Sequence, residues 1–330
     1  MNEVELPKVS IVITSRNNEQ TIGECLKSIF ELDYPKGSIE VIVIDSASSD
    51  KTLQIVESYP VKSFSKPLNA PAAYNFALKI ASHEILGFID ADAKVERDWL
   101  KKLTTRLNEP RVAGVSGNIE TWNADNPWAR SIGYDIKSRY ARIGSYVGRV
   151  ATMNLLLKRS VLEESGGFDE GFPSQYDTEL GFRISRLGYR IAFERTATCY
   201  HFNRPTVQAF FRQQRQYGKN TARLYFKYSS LAKGDEITDF GMNIQPALLI
   251  TALGFFLLGI PEILRLLWWV SALIMLCMFF YFVFSAAKVS IKFKDRSAMR
   301  LMVLYYVRVF AWLAGASVAA GNVFRKRKVK

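Results

Sequence analysis

"GFIDADAKVERDWL", residues 87–100, sets two aspartates one residue apart where an apolar run gives way to an amphipathic stretch. Carboxylates at such a junction often cap the helix that follows, and Ala91 between them suits a tight turn. The meaning of Asp90 and Asp92 therefore depends on their surroundings. Upstream, "KVSIVIT" (8–14) and "IEVIVID" (39–45) are runs of the same kind as "EILGFID" (84–90): short, β-branched and almost continuously apolar. That is the pattern of strands buried on both faces. Helical patterns lie between and after them over 19–32, 50–58 and 70–81. The alternation predicts an α/β fold with a doubly wound, mostly parallel sheet, whose ligands bind beyond the carboxyl ends of the strands. All three strands end in polar clusters, "TSRNN", "DSASSD" and "DAD".

A dinucleotide-binding fold needs a glycine-rich turn after the first strand so that backbone can approach a pyrophosphate. The turn here reads "TSRNNEQ", without glycine. If backbone amides do not hold the phosphates, a divalent cation is the natural substitute, and hard cations take oxygen ligands. Asp90 and Asp92 supply such oxygens. Cys25, Cys199 and Cys277 are scattered and form neither a disulfide framework nor a metal-binding spacing.

Five segments, "VITSRNNEQTIGECLKSI", "VIVIDSASSDKT", "FIDADAKVERDWL", "ESGGFDEGF" and "YDTELGFRISRLGYRI", occur in an order and spacing that resemble the family 2 glycosyltransferases of glycosyltransferase A (GT-A) type fold. The resemblance covers roughly residues 8–230. It implies that Ser15, Arg16, Asp45 and Asp90 bind a nucleotide diphosphate sugar, and that Asp92 ligates Mn2+ or Mg2+. It also makes Asp177 the general base, with Tyr176 where an acidic residue is usual and Ser46 where Asp45 usually has an acidic neighbour. Independently, a sugar hydroxyl is a poor nucleophile until a positioned carboxylate takes its proton, and Asp177 opens an apparent helix where it can do so. Glu179, in the same turn, is expected to act as a helix-terminal carboxylate. In "GGFDEGF", Gly166 and Gly167 predict a turn with close backbone approach. Gly167, Phe168 and Asp169 are candidate acceptor-binding residues, Phe168 as a stacking surface and Asp169 as a hydrogen-bond acceptor. His201 follows "RIAFERTATCYH" at a loop and is a candidate second metal ligand.

The last ninety residues have a different composition. Residues 246–260 and 266–287 are almost uniformly apolar, and the second run has the ~20 residues of a bilayer-spanning helix. Residues 301–324 are apolar apart from Arg308 and Asn322, with small residues at Gly315, Ala316, Ala319 and Ala320 that permit close helix packing. The formal charge of +13 is concentrated at the end: residues 288–330 hold eleven Lys/Arg against Asp295 alone. Basic excess beside apolar runs points to the cytoplasmic face and anionic membrane lipid rather than to nucleic acid. "KVSIKFKDRSAMR" and "RKRKVK" both favour that face, yet a third full crossing would separate them. The Met1–Pro7 opening has no signal pattern, which leaves the preceding domain expected in the cytoplasm.

The expected organisation is a catalytic domain over 1–204, a basic amphipathic helix and linker over 205–240, and a membrane domain over 241–330. In the linker, Arg212, Arg215, Lys219, Arg223 and Lys227 form a stripe at helical spacing. Phe210, Tyr217, Leu224 and Tyr228 line nearly the opposite face, expected to lie against the catalytic domain. The reading is a membrane-attached, multi-pass, inverting glycosyltransferase. It moves one sugar to a lipid-linked saccharide or glycan hydroxyl, with a polyprenyl-phosphate acceptor or a catalytically silent sugar-nucleotide-binding protein as alternatives.

Overall fold

The structure, a computed structural model, describes residues 6–328, with side chains through residue 321. The first five residues of the Met1–Pro7 opening, and the basic side chains from Arg325 onward, lie outside the described part. The chain divides into two units, Met1–Trp122 with Tyr140–Phe202, and Asn123–Arg139 with Asn203–Lys330.

In chain order the first unit contains β1 (Val9–Ser15), α1 (Ile22–Phe30), β2 (Ile39–Asp45), α2 (Thr52–Glu57), β3 (Lys62–Ser65), α3 (Ala70–Ile80), β4 (Ile85–Asp90), β5 (Ala93–Val95), α4 (Trp99–Thr104) and β6 (Val112–Thr121). After α5 (Pro127–Tyr140), most of which belongs to the second unit, come β7 (Tyr146–Val147), β8 (Leu155–Lys158), α6 (Arg159–Glu164), α7 (Tyr176–Arg186) and β9 (Arg190–His201). The sheet order is β3-β2-β1-β4-β8-β6-β9-β5, with β7 on β9. Pairing is parallel from β3 to β4 and between β6 and β9, while β8 runs antiparallel between β4 and β6.

Burial explains the strand pattern. Val9, Ile11, Val12 and Ile13 are all buried, as a central strand covered on both faces requires. In α1, Ile22, Cys25, Leu26 and Ile29 recur at helical spacing and form its buried face. Register then fixes the site: Ser15 lies beside Asp45, and Thr14 beside Asp90, so three adjacent strands deliver their polar ends to one edge. The clusters after β1 and β2 also bind each other. Asn17 N–H donates to Ser48 Oγ at 2.9 Å, Ser49 N–H to Asn17 Oδ1 at 2.9 Å, and Asn18 N–H to Thr52 Oγ1 at 2.7 Å. Asn17 and Ala47 take positive φ to allow it.

The second unit contains α8 (Val207–Lys227), α9 (Phe240–Leu258), α10 (Leu266–Phe293) and α11 (Leu301–Lys328), joined by α5. The sequence reading placed boundaries at 204 and 240 and kept all of 1–204 together; residues 123–139 instead pack with the C-terminal helices, because α5 carries an apolar face made for them. Ile132 is buried in a cluster with Phe210, Leu249, Phe282 and Leu301, and Trp128, Tyr134 and Ile136 pack against that cluster. The same cluster bears on one of the α8 aromatics expected to face the catalytic domain: Phe210 is buried among the C-terminal helices.

Asn123 and Asn203 are tied by two hydrogen bonds of 2.9 and 3.0 Å. Farther along α5, Ser131 Oγ donates to Ser297 O at 2.9 Å, and Tyr134 Oη to Asp295 Oδ2 at 2.8 Å. Among the described residues three helices are long and apolar enough to cross a membrane: Phe240–Leu258, Leu266–Phe293 and Arg296–Gly321. α9 and α10 form a hairpin locked by Ser271 Oγ donating to Ala252 O at 2.7 Å and Trp268 Nε1 to Phe256 O at 2.9 Å.

Candidate active site

Asp90 ends β4, and its Oδ1 accepts from Tyr74 Oη and Thr152 Oγ1, each at 3.3 Å. Its carboxyl is pushed up to about 6, first by burial and then by the charge of Asp92, with Asp177 adding and His201 opposing. Two carboxylates held this close repel, and the repulsion is relieved by a proton or by a cation. Asp92 starts the turn into β5, and its Oδ1 lies 3.5 Å from His201 Nε2. The arrangement follows from strand pairing: β5 lies antiparallel on β9 with Ala93 opposite His201, and Phe202 N–H donates to Asp92 O at 2.8 Å. A register irregularity between Gly117 and Asn118 lets β9 carry extra residues before His201 reaches this position. The buried Asn154 amide fills that irregularity, donating to Asn118 O at 2.7 Å.

Asp177 lies in the first turn of α7, where its Oδ1 accepts from the Thr178 N–H at 2.7 Å. Burial raises its carboxyl above the usual range, while Arg149 and the Thr178 N–H pull the other way. Glu179, fully buried, is no mere helix-end carboxylate. It pairs with Arg183 at 2.7 Å, and the Arg183 guanidinium also donates to Ser165 O and, at 2.7 Å, to Gly167 O. α7 therefore holds the glycine loop in place.

That loop has the close approach expected of it: Gly167 adopts φ +71°, and a Cβ there would meet Asn75 Oδ1 at 2.8 Å. Asn75 clamps the next residue at both ends, accepting from Phe168 N–H at 2.8 Å and donating to Phe168 O at 2.9 Å. The Phe168 ring is turned inward, 3% exposed, against Tyr74, Phe88 and Tyr176. It gives the core a buried aromatic face, worth roughly 2–3 kcal/mol of burial, and presents no open surface to a sugar. Asp169 Oδ1 accepts from Gly171 N–H at 2.9 Å, shaping the loop tip.

The remaining residues divide by exposure. Ser15 is buried with its Oγ 3.3 Å from Asn18 Oδ1, and Arg16 is exposed beside it. Asp45 is 1% exposed and accepts from Ser48 N–H at 2.9 Å, from Ser48 Oγ, and from Ser65 Oγ at 3.3 Å. It organises the loop after β2 and does not face outward. Thr152 and Tyr74 had no signal in the sequence; both lie outside any local motif and reach Asp90 only through the fold. Tyr176, which replaces an expected acidic residue, puts its hydroxyl 3.4 Å from Thr152 Oγ1, so a neutral chain runs from Tyr176 through Thr152 to Asp90.

Among the described residues no three His, Cys, Asp or Glu side chains form a ready metal cage. Asp92 and His201, with Asp90 close enough to feel the charge of both, bring two carboxylates and an imidazole together, donor types that fit a divalent cation. The Asp177 carboxylate, the Asp90 and Asp92 pair and a pinned glycine loop thus lie at the strand ends of a mixed α/β sheet. Residues 10–166 match the model of "Glycosyl transferase family 2".

The chain carries a family 2 glycosyltransferase domain.

The glycosyltransferase domain has relatives of similar kind. "Probable glycosyltransferase YdaM" of Bacillus subtilis (strain 168) is 29% identical over 246 residues, which are 69% of this chain and 58% of that protein. The chain thus spans little more than half the length of that relative. A Methanococcus voltae protein named "Dolichyl N-acetyl-alpha-D-glucosaminyl phosphate 3-beta-D-2,3-diacetamido-2,3-dideoxy-beta-D-glucuronosyltransferase" is 24% identical over 230 residues, 64% of this chain and 71% of its own length. In structure, the mannosyltransferase PcManGT from Pyrobaculum calidifontis, solved with GDP-Man and Mn2+, superposes with a TM-score of 0.59 at 22% identity, covering 96% of this chain and 87% of that one. The shared fold is the GT-A type.

Proposed function

We propose that this protein is an inverting, divalent-cation-dependent glycosyltransferase. It moves a single sugar from a nucleotide diphosphate sugar to a hydroxyl of a lipid-linked saccharide or glycan at the cytoplasmic membrane face. The observation that carries the reading is the convergence of Asp90, Asp92 and His201 with Asp177 at one sheet edge. The named dolichyl-phosphate-sugar acceptor of the Methanococcus voltae relative supports the acceptor class.

Asp92 and His201 would hold Mn2+ or Mg2+, which when bound supplies positive charge to the leaving nucleoside diphosphate. Ser15 and Arg16 border the nucleotide, and Asp45 keeps the loop beside it in shape. Tyr74 and Thr152 fix the Asp90 carboxylate with two hydrogen bonds. Asp177 takes the proton of the acceptor hydroxyl as the oxygen attacks the anomeric carbon from the side opposite the diphosphate, so configuration inverts. The proton ends on Asp177 and the electron pair of the broken bond on the diphosphate. Burial, by raising the Asp177 carboxyl, makes it a stronger base than a free aspartate. The Gly166–Gly167 turn and Asp169 border the acceptor, held by Arg183 and Asn75.

Purified protein in detergent, offered a panel of nucleotide sugars with Mn2+ and a lipid-linked saccharide, should transfer a sugar and lose transfer with EDTA. Persistent donor binding without transfer or hydrolysis would favour a silent binding protein. Transfer to polyprenyl phosphate but to no hydroxyl acceptor would replace the acceptor assignment.

A further inference from the structure

The charge pattern posed a conflict, because the loop near 288–300 and the tail near 325–330 are both basic but lie at opposite ends of the apolar α11. We infer that α11 does not cross the bilayer: it lies in the interface on the catalytic side, paired with α8, so that α9 and α10 are the two spans and both basic segments meet the same anionic leaflet. The inference rests on the membrane attachment in the proposed function, not on its chemistry.

The partners of α11 carry the argument. At its start, Ser297 O accepts from Ser131, and Asp295 pairs with Arg130 at 3.1 Å. One turn into the helix, Tyr305 Oη donates to Asp135 Oδ1 at 3.1 Å, and Arg308 lies 3.7 Å from Asp135. Arg308 also contacts Gln245 Oε1 at 3.4 Å, at the polar edge of α9 just before Pro246 begins its apolar run. Next, Trp312 Nε1 donates to Gln214 Oε1 at 2.9 Å. At Gly315 a Cβ would strike Arg215 O at 2.1 Å, and reciprocally one at Gly218 would strike Trp312 Cα at 2.4 Å. From Leu301 to Gly315 is about 21 Å of helix, most of the ~30 Å of a hydrocarbon core. Polar or close backbone contacts accompany α11 over that whole length; apart from Gln245 at the polar start of α9, they come from α5 and α8.

Neither of those helices is suited to the hydrocarbon. α5 leaves and re-enters the catalytic unit and carries Arg130, Asp135, Lys137 and Arg139. α8 turns Arg212, Arg215 and Lys227 outward. A crossing α11 would take these charges with it, where each would need its own compensation. Laid in the interface, α11 presents Val303, Phe310 and Val318, its exposed apolar residues, to acyl chains, while α8 covers its other side with a water-facing basic surface. The loop joining α9 and α10 carries Glu262 and Arg265, no basic excess, as the far side of the membrane requires.

Single cysteines read this topology on the full chain, with Cys277 replaced by Ser and with Cys25 and Cys199 left buried. Glu262→Cys, Arg296→Cys and Lys330→Cys are labelled with a membrane-impermeant maleimide in right-side-out and inverted vesicles. Lys330→Cys should react from the same side as Arg296→Cys and opposite to Glu262→Cys. Reaction of Lys330→Cys from the Glu262 side would overturn the inference. A second readout on the native sequence is a fluorescent protein fused after Lys330, one that matures only in the cytoplasm: fluorescence is expected, and a dark fusion with full-length protein present would count against the proposal. Both measurements are independent of turnover, so an inactive enzyme with this labelling pattern would refute the proposed reaction and leave the topology intact.

Discussion

Asp177 follows Gln175 by two residues, and Gln175 is held at φ +67°, a conformation that a non-glycine residue adopts at a cost of about 1–3 kcal/mol. The strain turns the chain into α7 so that Asp177 opens the helix at the site. Asp177→Asn keeps that shape and removes the base: kcat for a hydroxyl acceptor should fall at least ~10²-fold with donor affinity nearly unchanged, read by steady-state kinetics beside direct donor binding. Asp90 permits a test without turnover. Its carboxyl rises from 3.8 to about 6 on folding, so the stability it contributes is fully present below 3.8 and is lost as pH rises through about 6. In metal-free buffer, Asp90→Asn should therefore be more stable than the unaltered protein by on the order of 1–2 kcal/mol near pH 7. The advantage should shrink toward pH 4, and a thermal melt series in EDTA measures it. Asp90, Asp92, Asp177 and His201 could be picked out as candidates in the sequence because each sits at the end of a periodic element. Thr152 and Tyr74 were not, since what makes them important is contact across the sheet. Phe168 misled because an aromatic beside glycines reads equally as a ligand platform or as core, and only burial against Tyr74 and Phe88 separates the two.

α7 ties the helix that carries Asp177 to the shape of the glycine loop through one ion pair. Glu179 is fully buried, and removing Arg183 takes away a charge-assisted partner at 2.7 Å, a loss of roughly 1.5–3 kcal/mol. Arg183→Met should lower the thermal midpoint and raise KM for the acceptor more than for the donor. Glu179→Leu combined with Arg183→Met should recover much of the stability but not the acceptor KM, because the carbonyls of Ser165 and Gly167 still lack their donor. The α8 and α11 helices meet through glycine on both sides, and Gly315→Leu should separate them, since even a Cβ would sit 2.1 Å from Arg215 O. Reduced thermal stability in detergent, with the donor site of any remaining folded protein intact, is the expected result. The strands β1, β2 and β4 could be read from sequence since their apolar runs are almost continuous. β8 and β6 escaped because "NLLLK" and "VAGVSGNIET" have neither the length nor the uniformity of the others, and their pairing is decided by Asn154 and two glycines without side chains. α5 escaped for a different reason: its apolar face is sized for partners that lie from Phe210 to Leu301, far along the chain.

Those distant partners change what a shortened chain should do. Cutting after Lys233 removes α9 to α11, and with them the surface that covers Trp128, Ile132 and Ile136. The fragment should therefore aggregate or cling to vesicles even though its catalytic unit is complete. Replacing residues 124–138 with a short polar linker should restore a monomer, as gel filtration of the two fragments would report. The insertion of α5 also has a consequence for biosynthesis. The ribosome makes α5 well before the turn and helix that receive it: some 160 residues separate Asp135 from Asp295. At about 5–20 residues per second, that is roughly 8–30 s in which a half-apolar helix waits beside a folding sheet. α8 appears next and α9 and α10 follow, yet the seat for Tyr134 and Asp135 is completed only when Asp295 to Arg308 emerge. The nascent chain is thus open to chaperones for the whole of that interval, and the start of α11 is what closes it.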